Sequence, residues 1–153
     1  MTISFQKIGP AGAQLLSELQ KGSFQDGEQL WSAEDMAILL RGPHVLAMTI
    51  SQAGQVAGYI LWRHAADEAE ILSIGILPDY RGRDMASQLM SEILAEAAGR
   101  DIQEIFLEVR ADNRAAIGLY LKCGFTQVGQ RKDYYGDAVT GKQDALVLKY
   151  SAK

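Results

Sequence analysis

A short segment rich in arginine and glycine joins an apolar run to a helical pattern, and it carries the clearest chemical signal in the chain. In order, its residues are Arg81, Gly82, Arg83, Asp84, Met85, Ala86 and Ser87. The first N–H groups of a helix have no partner within the helix, and together with the helix dipole they attract anions. The segment is therefore suited to bind a pyrophosphate. An ordinary strand-to-helix turn with solvated arginines is the alternative.

Three side chains further along could take part in proton transfer or ligand binding. Glu108 interrupts an apolar strand pattern and shares a face with Phe106 and Arg110. A carboxylate in this position is either paired with Arg110 or available as a general base. Tyr120 follows in a short helical pattern, where an isolated tyrosine is more often a core or rim residue. Asn113 precedes that pattern and suits a helix cap.

Histidine and cysteine do not point to a metal site or to a nucleophile. We expect His44 and His64 to stand apart from each other and from any carboxylate cluster, which argues against a metal. Cys123 is the lone cysteine, so no internal disulfide can form. Its place at the end of a helical pattern, just before a glycine, indicates a small packing residue.

Length and composition indicate a globular chain with one domain over residues 1–153. The apolar fraction is 48% and the charged fraction 22%, unlike those of disordered or fibrous chains. A formal net charge of -4 disfavours nucleic acid as a partner. The sequence opens with no basic and apolar leader and has no run of about 18 apolar residues, so we expect a cytoplasmic protein with no membrane partner.

Periodicity and capping residues predict four helices, at 15–22, 32–40, 84–98 and 115–122. Runs rich in β-branched and aromatic residues predict strands at 45–50, 56–62, 70–77, 105–109, 125–128 and 145–149. The first two strands should form a hairpin with the five-residue loop 51–55, and a polar loop with tyrosines is expected over 132–144. The strands around the third helix should be parallel neighbours. The fold class is therefore mixed, α/β or α+β.

Several motifs in the second half resemble a known family. Ile-Leu-Pro-Asp-Tyr-Arg-Gly-Arg at 76–83, with the helix after it, resembles the coenzyme A motif Gln/Arg-x-x-Gly-x-Gly/Ala of the GNAT acetyltransferases. Leu-Glu-Val-Arg-Ala-Asp-Asn at 107–113, the helix with Tyr120 and Gly-Phe at 124–125 resemble the other half of that signature. Three segments are also similar to bacterial ribosomal-protein alanine N-acetyltransferases. They are the run at 107–113, Arg-Lys-Asp-Tyr-Tyr at 131–135 and Trp-Ser at 31–32.

The resemblance implies a GNAT fold, with a mostly antiparallel sheet, one parallel strand pair splayed around the coenzyme, and flanking helices. It also implies direct transfer of an acetyl group from acetyl-CoA to a primary amine. The donor would be held by segment 81–87, by Asn113, and by the main chain of Ile74, Gly75 and Ile76. No metal is implied.

In the resembled enzymes the glutamate matching Glu108 is the general base, and the tyrosine matching Tyr120 protonates the departing thiolate. The residues that could line an acceptor-peptide groove are Trp31, Arg131, Tyr134 and Tyr135. For the tryptophan a hydrophobic anchor is the alternative, and for the other three the alternative is a solvated polar loop.

The coenzyme motif is broken at one position. Asp84 stands where the family has its central glycine, and a carboxylate beside a pyrophosphate would repel it. Asp84 could instead turn outward and cap the helix. We therefore expect coenzyme binding that is retained but weakened.

The resemblance implies a protein N-terminal α-amine as the acceptor, such as that of a ribosomal protein. The amine pKa values agree with it, since an α-amine loses its proton near pH 8 and lysine only near about 10.4. Two alternatives remain open. One is a GNAT enzyme for a small-molecule amine, and the other is a binding module whose coenzyme site Asp84 has spoiled. The expected oligomeric state is a monomer or a weak homodimer.

Overall fold

A seven-stranded sheet forms the centre of the molecule, with two helices packed against each face. The computed structural model describes residues 2–23, 30–137 and 141–152, and for 133–137 and 141–143 it describes the backbone alone. In chain order the described strands and α-helices are β1 (Ile3–Ile8), α1 (Ala13–Ser23), α2 (Ala33–Leu40), β2 (Val45–Gln52), β3 (Gln55–Ala65), β4 (Glu68–Ile76), α3 (Met85–Gly99), β5 (Glu104–Arg110), α4 (Arg114–Lys122), β6 (Thr126–Asp137) and β7 (Gly141–Ser151).

The strands lie in the order β1-β2-β3-β4-β5-β7-β6. Among the described strands, β4 and β5 are parallel and all other neighbours are antiparallel. The predicted mixed fold with one parallel pair is therefore confirmed. That pair is joined through Glu68 with Glu104, Ala69 with Ile105, and Glu70 with Phe106, and pairing then stops.

Alternating side chains divide the core between the two faces of the sheet. On β3, Ile60 and Trp62 pack with α3 and α4, whereas Tyr59 and Leu61 pack with α1 and α2. Each helix turns its apolar side toward one of these layers. None of the described helices combines the length and the apolar run needed to cross a bilayer.

Two of the helices begin at capping residues that the sequence predicts. Ser32 Oγ accepts a hydrogen bond from the Asp35 N–H at 3.1 Å, and Asn113 Oδ1 accepts one from the Ala116 N–H at 3.2 Å. Each bond satisfies a donor that has no partner within its helix. The bounds of all four described helices agree with the predicted bounds to within two residues.

Three features of the strands differ from the prediction. The β2–β3 hairpin turns on Ala53 and Gly54 alone, with φ of 51° and 81°, because positive φ suits a tight turn between twisted strands. The five-residue loop was therefore wrong. The polar loop over 132–144 was also wrong, since β6 and β7 extend through its described residues. Strand β1 was not predicted, because its edge position leaves its alternation of buried and exposed side chains weak.

An extra residue in β4 marks the place where the sheet opens. Leu61 pairs with Ser73 and Trp62 with Ile71, which leaves Leu72 opposite no residue of β3. Such a bulge bends the strand and increases its local twist. It follows Glu70 closely, so the bend coincides with the end of pairing to β5.

His44 and His64 are neighbours, so the prediction that they stand apart was wrong. Their ring centroids lie 5.2 Å apart in an edge-to-face arrangement. Antiparallel pairing explains this, since the His64 N–H donates to the His44 carbonyl oxygen at 2.8 Å. Burial and the Arg100 guanidinium lower the pKa of His64. Among the described residues, no three His, Cys, Asp or Glu side chains cluster closely enough to hold a metal ion.

Candidate active site

The end of β4 and the middle of β5 border an opening in the sheet. Pairing stops at Glu70 and Phe106, yet β4 continues to Ile76 and β5 to Arg110. Over this stretch no strand that the structure describes pairs with the facing edges, so an extended ligand could bond to their peptide groups. The predicted main-chain ligands, residues 74–76, lie on this part of β4.

Gly75 has no room for a side chain, because other parts of the protein pack against it. A Cβ placed there would lie 2.7 Å from Ser23 Cβ and 3.0 Å from Tyr59 Cε1. The glycine thus lets the end of α1 and the buried Tyr59 ring pack closely against β4. The Tyr59 hydroxyl also forms a hydrogen bond with the Ser73 hydroxyl, which is on β4. Close approach of a coenzyme to the Gly75 backbone stays a prediction.

The N–H groups at the start of α3 have no acceptor in the described part of the chain. From Gly82 to Ser87, none donates to a carbonyl or a side chain of a described residue. Gly82 has φ of 77°, which only glycine adopts without strain, and it turns the chain into the helix. Unpaired donors at the positive end of a 15-residue helix suit a pyrophosphate. Binding of a coenzyme there stays a prediction.

Both arginines of this segment are held by acceptors of the protein itself. Arg81 donates from Nε to the Ile76 carbonyl oxygen at 3.0 Å and from Nη2 to the Ser23 carbonyl oxygen at 2.6 Å. Arg83 donates to Gln52 Oε1 at 2.6 Å. Both arginines are also exposed to solvent, so the alternative of an ordinary turn with solvated arginines stays open. The guanidinium groups brace the segment against α1 and the β2–β3 hairpin, which leaves the backbone amides as the groups for anion binding.

Asp84 adopts the backbone shape of the glycine that it replaces. Its φ of 64° and ψ of 19° are left-handed, which costs a residue with a side chain roughly 1 kcal/mol. The carboxylate makes no cap bond to α3, so the alternative that it caps the helix was wrong. The side chain is exposed beside the unpaired amides, where its negative charge opposes an anion.

Replacing Asp84 with glycine should tighten coenzyme A binding about fivefold to tenfold, because it removes the repulsion between the carboxylate and the pyrophosphate. Asp84→Asn is the matched variant, since asparagine removes the charge and still tolerates the left-handed conformation. Calorimetric titration with coenzyme A should show tighter binding by both variants than by the unchanged protein. Equal affinities throughout would contradict the argument from repulsion.

A groove of about 230 Å³ lies between α3 and the end of α4, beside these amides. Its lining residues are Asp84, Ser87, Ser91, Leu94, Lys122 and Cys123. Ser91, Leu94 and Lys122 were not among the predicted site residues. For the α3 residues the signal was their spacing, since positions 84, 87, 91 and 94 fall on one side of a helix. Burial raises the pKa of the Cys123 thiol, which agrees with a packing residue.

Glu108 lies on the face of β5 that points away from α3 and α4. Its two neighbours along the strand are buried beneath those helices, and successive side chains alternate. The side chain of Glu108 is 24% exposed, and its Oε1 lies 2.9 Å from Arg131 Nε. The alternative pairing with Arg110 was wrong, because that guanidinium donates to both carboxylate oxygens of Asp112 at 3.1 and 3.3 Å.

Tyr120 lies on α4 and packs into the core on the opposite face of the sheet. It is 7% exposed, and its ring centroid lies 6.0 Å from that of Phe125. The expectation of a core tyrosine is confirmed, and its role as an acid stays a prediction.

Asn113 is confirmed as a cap of α4. Because its Oδ1 makes the cap bond, its amide nitrogen is the group that could serve a coenzyme.

Trp31 is anchored to α1 through its backbone. Its N–H donates to Gln20 Oε1 at 2.7 Å, and Ser17 Oγ donates to its carbonyl oxygen at 3.1 Å. The side chain packs against the core layer beneath α1 and α2, which supports the alternative of a hydrophobic anchor. The side chains of Tyr134 and Tyr135 lie outside the described residues.

Comparison with known proteins gives consistent matches. The model of the Acetyltransferase (GNAT) family matches residues 13–125. The chain is 31% identical over 118 residues to the ribosomal protein bS18-alanine N-acetyltransferase of Escherichia coli, covering 77% of this chain and 78% of the relative. It is 35% identical over 143 residues to the N-alpha-acetyltransferase RimI of Mycobacterium tuberculosis, covering 88% of each. The crystal structure of the ribosomal-protein-S18-alanine N-acetyltransferase from Escherichia coli matches with a TM-score of 0.89 at 25% identity, over 98% of this chain and 94% of that one.

Proposed function

Because the chain belongs to the GNAT family and is thus an acetyl-CoA-dependent N-acetyltransferase, we propose that it acetylates the N-terminal α-amine of a protein. Two relatives support this acceptor. One is named for the alanine of ribosomal protein bS18, and the other is named as an N-alpha-acetyltransferase. An N-terminal alanine is therefore the acceptor residue that we propose, and we propose that residues 1–153 act as one domain.

The observation that carries the proposal is the set of unpaired α3 amides next to the opening between β4 and β5. Arg81 keeps them together, because its bond to the Ile76 carbonyl holds the amide-bearing segment against the end of β4. A pyrophosphate bound to these amides would leave the rest of the donor within reach of the opening. Glu108 and Tyr120 lie on opposite faces of the sheet, so acceptor and donor could approach from opposite sides.

We assign the two proton transfers to these side chains. Glu108 takes a proton from the attacking amine, directly or through a water molecule. The amine nitrogen bonds to the acetyl carbon, the carbon–sulfur bond breaks, and Tyr120 gives its proton to the departing thiolate. A phenol with a pKa of about 10 protonates a thiolate whose acid lies near 8.5 only when it is held close to the sulfur. Placement of Tyr120 is therefore the critical requirement.

The protonation of the acceptor favours an α-amine over a lysine. An α-amine has a pKa of about 8 and a lysine one of about 10.4, so the neutral lysine costs roughly 3 kcal/mol more to form at neutral pH. A single carboxylate base serves the first amine more easily than the second.

A panel of acceptors tests the proposed function. At pH 7, thiol release from acetyl-CoA should show a kcat/KM about 100-fold higher for a peptide that begins with alanine than for a lysine-containing peptide whose N-terminus is acetylated. The matched control is the same alanine peptide with its N-terminus already acetylated, which should give no release above background. Equal or faster release with spermidine or a free amino acid would favour the small-amine alternative instead.

A further inference from the structure

We propose that Arg131 is a positioning residue for Glu108, an inference that rests on the proposed role of Glu108 as the general base. Arg131 Nε lies 2.9 Å from Glu108 Oε1. Of the side chains that the structure describes, it is the one that bonds this carboxylate. The sequence suggested Arg131 only as a residue of the acceptor groove.

The pair spans a strand that lies between its members. Glu108 on β5 is opposite Val147 on β7, and Arg131 on β6 is opposite Ala145 on β7. Because Ala145 and Val147 are two residues apart, all four side chains share one face of the sheet. Strands β5 and β6 are therefore about 10 Å apart, and the long arginine reaches diagonally over β7 to the carboxylate. The short side chains of β7 leave it room.

Fold stability does not explain this pair. The side chain of Arg131 is 58% exposed and that of Glu108 is 24% exposed, and solvent screens ion pairs of this kind. The pair instead restricts the direction in which the Glu108 carboxylate points. A carboxylate without a partner samples several rotamers, whereas one bonded at Oε1 presents Oε2 along a narrow range of directions. A general base needs such placement, since it must lie within hydrogen-bond reach of the proton that it removes.

Two roles for the guanidinium can be separated by kinetics. A positioning residue acts through Glu108, so its loss lowers kcat and has no effect once the carboxylate is gone. A residue that contacts the acceptor peptide acts by itself, so its loss raises the peptide KM and adds to the loss from any other change.

The test compares Arg131→Met, Glu108→Gln and the double variant, with acetyl-CoA and a peptide that begins with alanine. We expect Arg131→Met to lower kcat about tenfold, with the peptide KM changed by less than about twofold. Adding it to Glu108→Gln should cause no further loss. Arg131→Lys keeps the charge without the planar fork and should restore part of the rate.

Lys149→Met is the matched control. Lys149 pairs with Glu104 at 2.9 Å and joins β5 to β7, so the change removes a similar ion pair without touching Glu108. Its kcat should be unchanged, and melting temperatures show whether each variant is folded. Two results would overturn the positioning role: losses that multiply in the double variant, or a raised peptide KM at unchanged kcat in Arg131→Met. Neither result would affect the proposal that Glu108 is the general base. Full turnover in Glu108→Gln would instead overturn the general-base proposal, and the positioning role with it.

Discussion

Glu108→Gln is expected to lower kcat about a thousandfold at pH 7 with coenzyme A affinity unchanged. Glutamine has the same shape but cannot accept the proton of the attacking amine. The donor site is spared because Glu108 lies on the face of β5 away from α3 and α4. The deficit should narrow as pH rises past about 8, because a larger fraction of the α-amine is then neutral and needs no base. Thiol release across pH, with calorimetry for the donor, measures both effects.

Glu104→Gln provides the comparison for this result. Glu104 is on the same strand and the same face, is also partly buried, and is paired with Lys149 instead of Arg131. Its replacement should leave kcat unchanged. If both glutamine variants lost turnover equally, the effect would belong to the strand and not to a base. If neither did, the proton would leave by another route.

Tyr120→Phe should lower kcat about 100-fold, because the thiolate would leave without a proton from the phenol. The ring itself stays, so its packing beside Phe125 is preserved and the melting temperature should change little. Donor affinity should also be retained, since the amides at the start of α3 are untouched. Single-turnover thiol release together with coenzyme A titration separates the loss of chemistry from a loss of binding.

Tyr150→Phe is the matched control for this change. Tyr150 lies 5.7 Å from the Phe125 ring, so both tyrosines pack on the same aromatic neighbour. Only the variant at Tyr120 should lose turnover. A similar loss in both would attribute the effect to the aromatic cluster, and an unchanged rate in Tyr120→Phe would remove that residue from the mechanism.

Interactions within a few residues were predictable because the sequence holds both partners side by side. Ser32 and Asn113 each cap a helix through an N–H three residues further on. The alternation of buried residues in β5 likewise put Glu108 on its correct face. The parallel pairing of β4 and β5 followed from the helix between them, which a parallel connection requires.

Contacts between distant segments could not be predicted in the same way. The partner of Glu108 was sought at Arg110, two residues away, because nothing local reveals that β7 brings β6 and Arg131 within reach. Arg81 and its acceptor Ser23 are 58 residues apart. Capping of α3 by Asp84 was an alternative because aspartate is often a cap. Its backbone is left-handed instead, and its side chain makes no cap bond.

The short join between β4 and β5 also decides how the sheet responds to strain. In the part of the chain that the structure describes, three residue pairs connect the block β1–β4 to the block β5–β7. Rotating one block against the other flexes this small seam and the side chains around it, and breaks no antiparallel hydrogen bond. The sheet is therefore most easily deformed at the opening between β4 and β5. A molecule bound there and contacting both strands would make the whole sheet more rigid.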